Sequence, residues 1–129
     1  SLDDLEHRIL RPKFEDARVH VAVNCASISC PPLLSKALRA KTLDADLDAA
    51  MRAFLADTQR NRLDGTPRLS KIFEWFRADF ERDGKSLGAY LARYAPKGKA
   101  QALRDAKFEF LPYDWALNTT ETKGKSLSR

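Results

Sequence analysis

Long apolar runs are missing from this sequence: nowhere does it approach the ~20 consecutive apolar residues that a transmembrane helix needs. A basic-then-apolar secretion signal is missing too. Ser rather than Met stands first, so that second absence says little about compartment. Glycine and proline are sparse, five and six in 129 residues, and no Gly-rich phosphate loop is present. There is no internal repeat and no low-complexity block. Thiol and imidazole chemistry is limited to two cysteines and two histidines.

Charge is plentiful but not patterned for nucleic acid. The net charge is +5, with basic residues scattered among acidic ones as in "DADLDAAMRAFLADTQRNR". Local basic excesses occur at 97–107 ("KGKAQALRDAK") and 123–129 ("KGKSLSR"). Neither has aromatic residues interleaved for base stacking, so these stretches read as solvated surface and nucleic-acid binding is not expected. What is present suits a globular chain: 43% hydrophobic and 32% charged residues, in a length near the commonest domain size. Such a chain buries roughly two-thirds of the surface its unfolded form exposes.

Along the chain, Ser1 can cap a helix "SLDDLEHRIL", with Asp3 and Asp4 in the first turn where the macrodipole favours them. Leu2, Leu5, Ile9 and Leu10 supply its apolar face, and Pro12 is expected to interrupt it. "RVHVAVNC" alternates and reads as a strand, with Val19, Val21, Val23 and Cys25 on one face and His20, Ala22 and Asn24 on the other. "CPPLLSKALR" predicts a turn running into a short helix. A Thr42 cap and the spacing of Leu43, Leu47, Ala50, Met51 and Phe54 predict the most secure helix. Asp64-Gly65 signals a tight hairpin. Ser70 and Ser86 are caps for helices bearing Ile72, Phe73, Phe76 and Phe80, then Leu87, Tyr90, Leu91 and Tyr94. Gly84 ends the first of these, a weaker helix follows near 98–106, and "KFEFLPYDW" makes a last strand.

"RVHVAVNCASISCPP" (18–32) holds both cysteines and His20. Four readings of it stand open: a small buried hydrophobe, a nucleophile, a Cys25–Cys30 disulfide, or a zinc site completed by His7. The H-x4-C-x4-C spacing is not that of a zinc finger. In a regular strand, His20 and Cys25 would lie ~16 Å apart on opposite faces. That makes His7 at least as good a partner for the thiol. Cys30, before two prolines and an expected helix start, is the better placed of the two for a stabilised thiolate. Trp75 reads as core, and "PYDWALN" (112–118) as a segment that locks the last strand down or lines a cleft.

The blocks "LDDLEHRILR", "VHVAVNCASISCPPL", "LDADLDAAMRAFL", "RLSKIFEWFRADF" and "FEFLPYDWALN" stand in order. Over residues 2–118 this series resembles the family named domain of unknown function 547. That family occurs in bacterial proteins, often exported, and in plant proteins with coiled-coil regions, so the resemblance implies a periplasmic or exported protein. It places His7, His20, Asn24, Cys25, Ser29 and Pro31 at motif positions, and it favours Cys25 over Cys30 as the shared functional atom. Family domains normally begin with an upstream block of the "YWINLYNA" kind, which nothing here matches.

These readings predict an α+β fold, a small, mostly antiparallel sheet packed by several helices. The single domain would span 1–118, lacking the upstream helical block, with a flexible basic tail over 119–129. A likeness to papain or transglutaminase folds is analogy only. The expected chemistry is thiol-dependent hydrolysis or acyl transfer. Cys25 would be the nucleophile, His7 or His20 the base, and Asn24 or Ser29 an orienting or oxyanion-side donor. The alternative is a binding or assembly module in which these residues are structural. No cofactor and no metal is expected. The apolar face at Leu2, Leu5, Ile9 and Leu10 predicts a homo-oligomer, and the other partner would be a substrate or protein of unspecified kind.

Overall fold

Ser1 caps the first helix as expected. Its Oγ accepts the Asp4 N–H at 3.2 Å while the Asp4 carboxylate receives the Ser1 amino group at 3.1 Å, so both loose ends are satisfied reciprocally. In this computed structural model, which describes residues 1–121, the helix is α over Leu2–Asp4 (α1). It widens to π register over Leu5–Leu10 and returns to α over Arg11–Phe14 (α2). The expected break at Pro12 does not occur. Pro12 falls in the first turn of α2, just past the widened turns, where a missing N–H costs least. The helix stops at Glu15, whose φ of 52° is left-handed. Residues 122–129, most of the expected basic tail, lie outside the described residues.

The strand expected over "RVHVAVNC" is not formed. Val19–Ala22 is a helical turn (α3), led in by Val19 N–H to the Asp16 carbonyl at 3.1 Å and Val21 N–H to the Arg18 carbonyl at 3.1 Å. Its buried residues, His20 and Val21, are neighbours, so burial does not follow the alternation of the valines. Arg18 decides this: its guanidinium binds Asp16, Asp44 and Asp48 and docks the turn onto α4 (Leu43–Ala56). Valine's strand preference yields to that tertiary contact. The short helix expected after Pro31-Pro32 is also absent: residues 31–40 carry no helix.

The fold-class expectation therefore needs correction. The chain is mostly helical rather than built on a mostly antiparallel sheet. Its sheet among the described residues is a parallel pair, β1 (Arg68–Leu69) with β2 (Glu109–Phe110), Arg68 facing Glu109 and Leu69 facing Phe110. Antiparallel pairing is reduced to isolated bridges, Arg62 with Arg68 around Asp64-Gly65, and Ser27 with Leu117. With Val19–Ala22 helical and no strand formed over 18–25, "KFEF" has only the two residues of β1 to pair with in a sheet.

α4 forms where its spacing predicts, and buries Leu47, Ala50, Met51, Phe54 and Leu55, but Thr42 does not cap it: the Thr42 hydroxyl donates to Asp46 Oδ2 at 2.7 Å and accepts no backbone N–H. Ser70 caps α5 (Lys71–Trp75), which breaks at Phe76 before α6 (Arg77–Phe80). Ser86 caps α7 (Leu87–Ala92), and α8 (Ala100–Asp105) packs on it. Phe73 sits between Phe54 and Phe80, with ring centroids 5.6 and 5.2 Å away, at the centre of the core. Such pairs add about 0.5–1.5 kcal/mol each beyond their burial. No helix among the described residues is long and apolar enough to cross a membrane.

Gly88 marks where α7 meets α8: a Cβ there would run into the Leu103 carbonyl oxygen, a backbone atom that cannot swing aside. Gly88→Ala gains about 1 kcal/mol of helix propensity. The overpacking costs about 1–3 kcal/mol and outweighs it. A lower urea midpoint for Gly88→Ala is expected; a higher one would show that the two helices part without strain.

Candidate functional site

Cys25 sits in a turn that its neighbours hold tightly. Asn24 Oδ1 accepts the Ala26 N–H at 2.8 Å, and its Nδ2 donates to the Pro31 carbonyl at 2.7 Å. Ala26 takes a left-handed φ of 60°, rare for a residue with a Cβ and strained by about 1–2 kcal/mol. Beyond it the chain pairs with the C-terminal segment. Ile28 N–H donates to the Ala116 carbonyl at 2.9 Å, and Asn118 N–H to the Ala26 carbonyl at 2.8 Å. Beneath the turn, Arg60 donates to the carbonyls of Cys30 (2.7 Å) and Ile28 (2.8 Å).

This pairing delivers Tyr113 to the thiol. Cys25 Sγ lies 3.1 Å from Ser27 Oγ and 3.4 Å from Tyr113 Oη, and the two hydroxyls are themselves 3.1 Å apart. Burial alone would raise the Cys25 pKa, but hydrogen bonds from Ser27, Tyr113 and Cys30 outweigh it and bring the thiol down to about 7. Cys30 goes the other way. It is buried, no helix follows it, and burial pushes its thiol up to about 11. The geometric advantage expected for Cys30 is therefore absent. Its sulfur accepts the Cys25 N–H at 2.9 Å, and both cysteines are free thiols.

Cys25 opens onto a cleft of about 580 Å³ that His20 also lines. His20 is 2% exposed, stacks on Phe76 at 3.9 Å, and bonds through Nε2 to Asp79 Oδ2 at 2.8 Å. Asp79 also accepts from Arg11 Nε at 2.6 Å and Arg82 Nη2 at 2.9 Å. Burial would raise its pKa, but Arg11 and His20 hold the carboxyl below its usual range. The ionised carboxylate places the His20 proton on Nε2 and leaves Nδ1 as the free base. Nδ1 makes no hydrogen bond among the described residues; Glu6 Oε1 stands 3.5 Å away. Burial lowers the His20 pKa against the pull of Asp79 and Glu6.

The five residues singled out from the sequence divide. Cys25, His20, His7 and Asn24 line one cleft. His7, on its rim, takes an Arg11 N–H at Nδ1 (3.0 Å) and lies 3.4 Å from Asp3. Asn24 is tied at both ends of its amide. Ser29 is buried outside the cleft lining, its Oγ accepting the Asp114 N–H at 2.9 Å. Sequence reasoning missed Asp79, Ser27 and the role of Tyr113. "PYDWALN" carried a signal for Tyr113; nothing in the sequence linked Asp79 to His20. Trp75, read as core, is 46% exposed and lines the cleft beside Tyr113 and Trp115. Among the described residues no group of His, Cys, Asp and Glu side chains is arranged to hold a metal ion.

Residues 1–55 match the model of the family described as protein of unknown function, DUF547. That stretch, with the first helix, His20, Cys25 and most of α4, is similar to a segment of this family and spans less than half of the chain. Asp79, Trp75 and Tyr113 lie beyond it, where the likeness rests on the sequence blocks alone. Neither the curated proteins nor the solved structures hold a match to this chain.

Alkylation by iodoacetamide is expected to be half-maximal near pH 7 at Cys25, leaving Cys30 unmodified in the folded protein. Tyr113→Phe should move that midpoint upward; an unchanged midpoint near that of a free cysteine would remove the activated thiol. The buried imidazole gives a second expectation. Its folded pKa lies below the ordinary 6.5, so the unfolded chain binds the extra proton first as the pH falls. Its contribution to stability is complete above pH 6.5 and is lost on acidification. In a Cys25→Ser background, urea midpoints should fall between pH 6.5 and 5; a rise would contradict the neutral His20.

Proposed function

We propose that Cys25 and His20, with Asp79 behind the imidazole, form a thiol-dependent acyl-transfer or hydrolase centre. One observation carries this reading. An exposed thiol of near-neutral pKa opens onto the same cleft as an imidazole anchored through Nε2 to a buried carboxylate, with Nδ1 left unpartnered among the described residues. The arrangement follows the logic of a nucleophile, a base and an orienting acid.

Cys25 Sγ attacks the acyl carbon. The new C–S bond forms as the bond to the leaving group breaks, and the thiol proton passes by way of His20 Nδ1, directly or through one water, to the departing atom. Water or an amine then attacks the thioester carbon and gives its proton to His20. The C–S bond breaks, and the proton returns to the departing sulfur. Tyr113 and Ser27 stabilise the charge on sulfur at both ends of this cycle. His20 is assigned as base in preference to His7, which is exposed and already accepts from Arg11. Asn24 and Ser29 hold the turn and the C-terminal segment in place.

p-Nitrophenyl acetate tests the proposal. Intact mass should show one acetyl group, mapped to Cys25 and absent from Cys25→Ser. His20→Asn should still acylate above neutral pH but release acetate more slowly, by about 10²–10⁴-fold. Turnover unchanged in Cys25→Ser, or acetyl groups on other residues only, would overturn it.

A further inference from the structure

The cleft that Cys25 faces has a one-sided charge. Its lining holds the carboxylates of Asp3 and Glu6, two imidazoles, and neither Lys nor Arg. Arg11 stands over the Phe76 ring and is engaged by Asp79 and His7, while the Ser1 amino group and Arg8 are paired with Asp4. Opposite in character is an aromatic wall. Trp75 and Trp115 stack at 5.6 Å with 21° between planes, and Tyr113 lies 4.8 and 4.5 Å from them. Trp115 is 67% exposed, so its π-face is available to a ligand.

Glu6 and His20 add a specific demand. With the Nε2 proton given to Asp79, neutral His20 has only a lone pair at Nδ1, and the Glu6 carboxylate 3.5 Å away has only acceptors. Two acceptors face each other with no donor between them among the described residues, and Nδ1 is fully buried. Buried polar atoms are nearly always satisfied. A group with two N–H bonds and a positive charge satisfies both at once. An anion would meet Glu6 with no counter-cation in the cleft lining.

We infer that the cleft binds an organic cation, an ammonium or guanidinium carried on an apolar stem. Its N–H groups reach Glu6 and His20, and its stem lies against Trp75 and Trp115. The inference deepens the acyl-transfer reading by naming its substrate class, and it rests on Cys25 facing this cleft. Cation–π attraction and the Glu6 charge act in the same direction. The amine that attacks the thioester and a basic side chain beside the acyl group are the two sources of such a cation.

Methanethiosulfonate reagents read the preference at Cys25 without any acyl chemistry. The 2-aminoethyl (cationic) and 2-sulfonatoethyl (anionic) reagents are compared by rate on the native protein and on the urea-unfolded chain. The native cation-to-anion ratio is expected to exceed the unfolded one by at least about tenfold. Glu6→Gln should bring the ratio down toward the unfolded value; as a ratio within one variant, it cancels any change in thiol reactivity. A native ratio equal to the unfolded one, or one untouched by Glu6→Gln, overturns the inference, whether or not Cys25 becomes acetylated by the ester. Protection of Cys25 by butylammonium assigns a free amine as the source. Protection only by an acetylated, amidated lysine tripeptide assigns a peptide side chain. Failure of both to slow the labelling also overturns the inference.

Discussion

Asp79 Oδ2 accepts from Arg11 Nε at 2.6 Å and from His20 Nε2 at 2.8 Å, while Oδ1 takes Arg82. Its side chain is 8% exposed, and a carboxylate removed from water at that depth is tolerable only with its charge answered. Answering it brings three parts of the chain together: α6, which carries Asp79, the first helix through Arg11, and α3 through His20. The first helix then supplies Leu5, Glu6, His7 and Leu10 to the cleft. A single buried charge thus sets both the tautomer of the imidazole and the position of the wall facing the thiol.

The other side of the cleft depends on hydrogen bonds to backbone. Arg60 reaches from beyond α4, bonds Asp57 at 2.5 Å, and donates through Nη2 and Nε to the Ile28 and Cys30 carbonyls. The C-terminal segment closes the same loop from above, through Ser29, Asp114 and Ala116. Held from two sides, the turn can sustain a left-handed Ala26, a conformation its own sequence does not favour. Strain at a residue adjacent to an exposed thiol is consistent with a geometry maintained for the thiol's position.

Helix caps were legible because they are local: Ser1, Ser70 and Ser86 each bond a backbone N–H two or three residues on. The spacing in α4 was legible because one face of a long helix meets the core throughout. The valine alternation misled because the competing contact, Arg18 with Asp44 and Asp48, joins residues 26 and 30 positions apart. The same limit applied to the site. The motif around Cys25 was visible, but Tyr113 lies 88 residues away and Asp79 lies 59 from His20. Such pairings exist only once helices pack, so the strand geometry that separated His20 from Cys25 vanished when α3 formed.

The two cysteines show how far environment outruns sequence. They sit five residues apart in one loop, yet one thiol is drawn to about 7 and the other driven to about 11. Each shift supports the other. Two adjacent sulfurs resist ionising together, so the buried one keeps its proton. Keeping it, Cys30 becomes a donor to the Cys25 thiolate, alongside Ser27 and Tyr113. Its own sulfur meanwhile accepts the Cys25 N–H and fixes the turn. Divergent pKa values in adjacent like groups assign roles, the ionised member acting and the neutral one supporting. On the proposed reading Cys30 supports the Cys25 thiolate, and its bond to the Cys25 N–H accounts for its place in the turn.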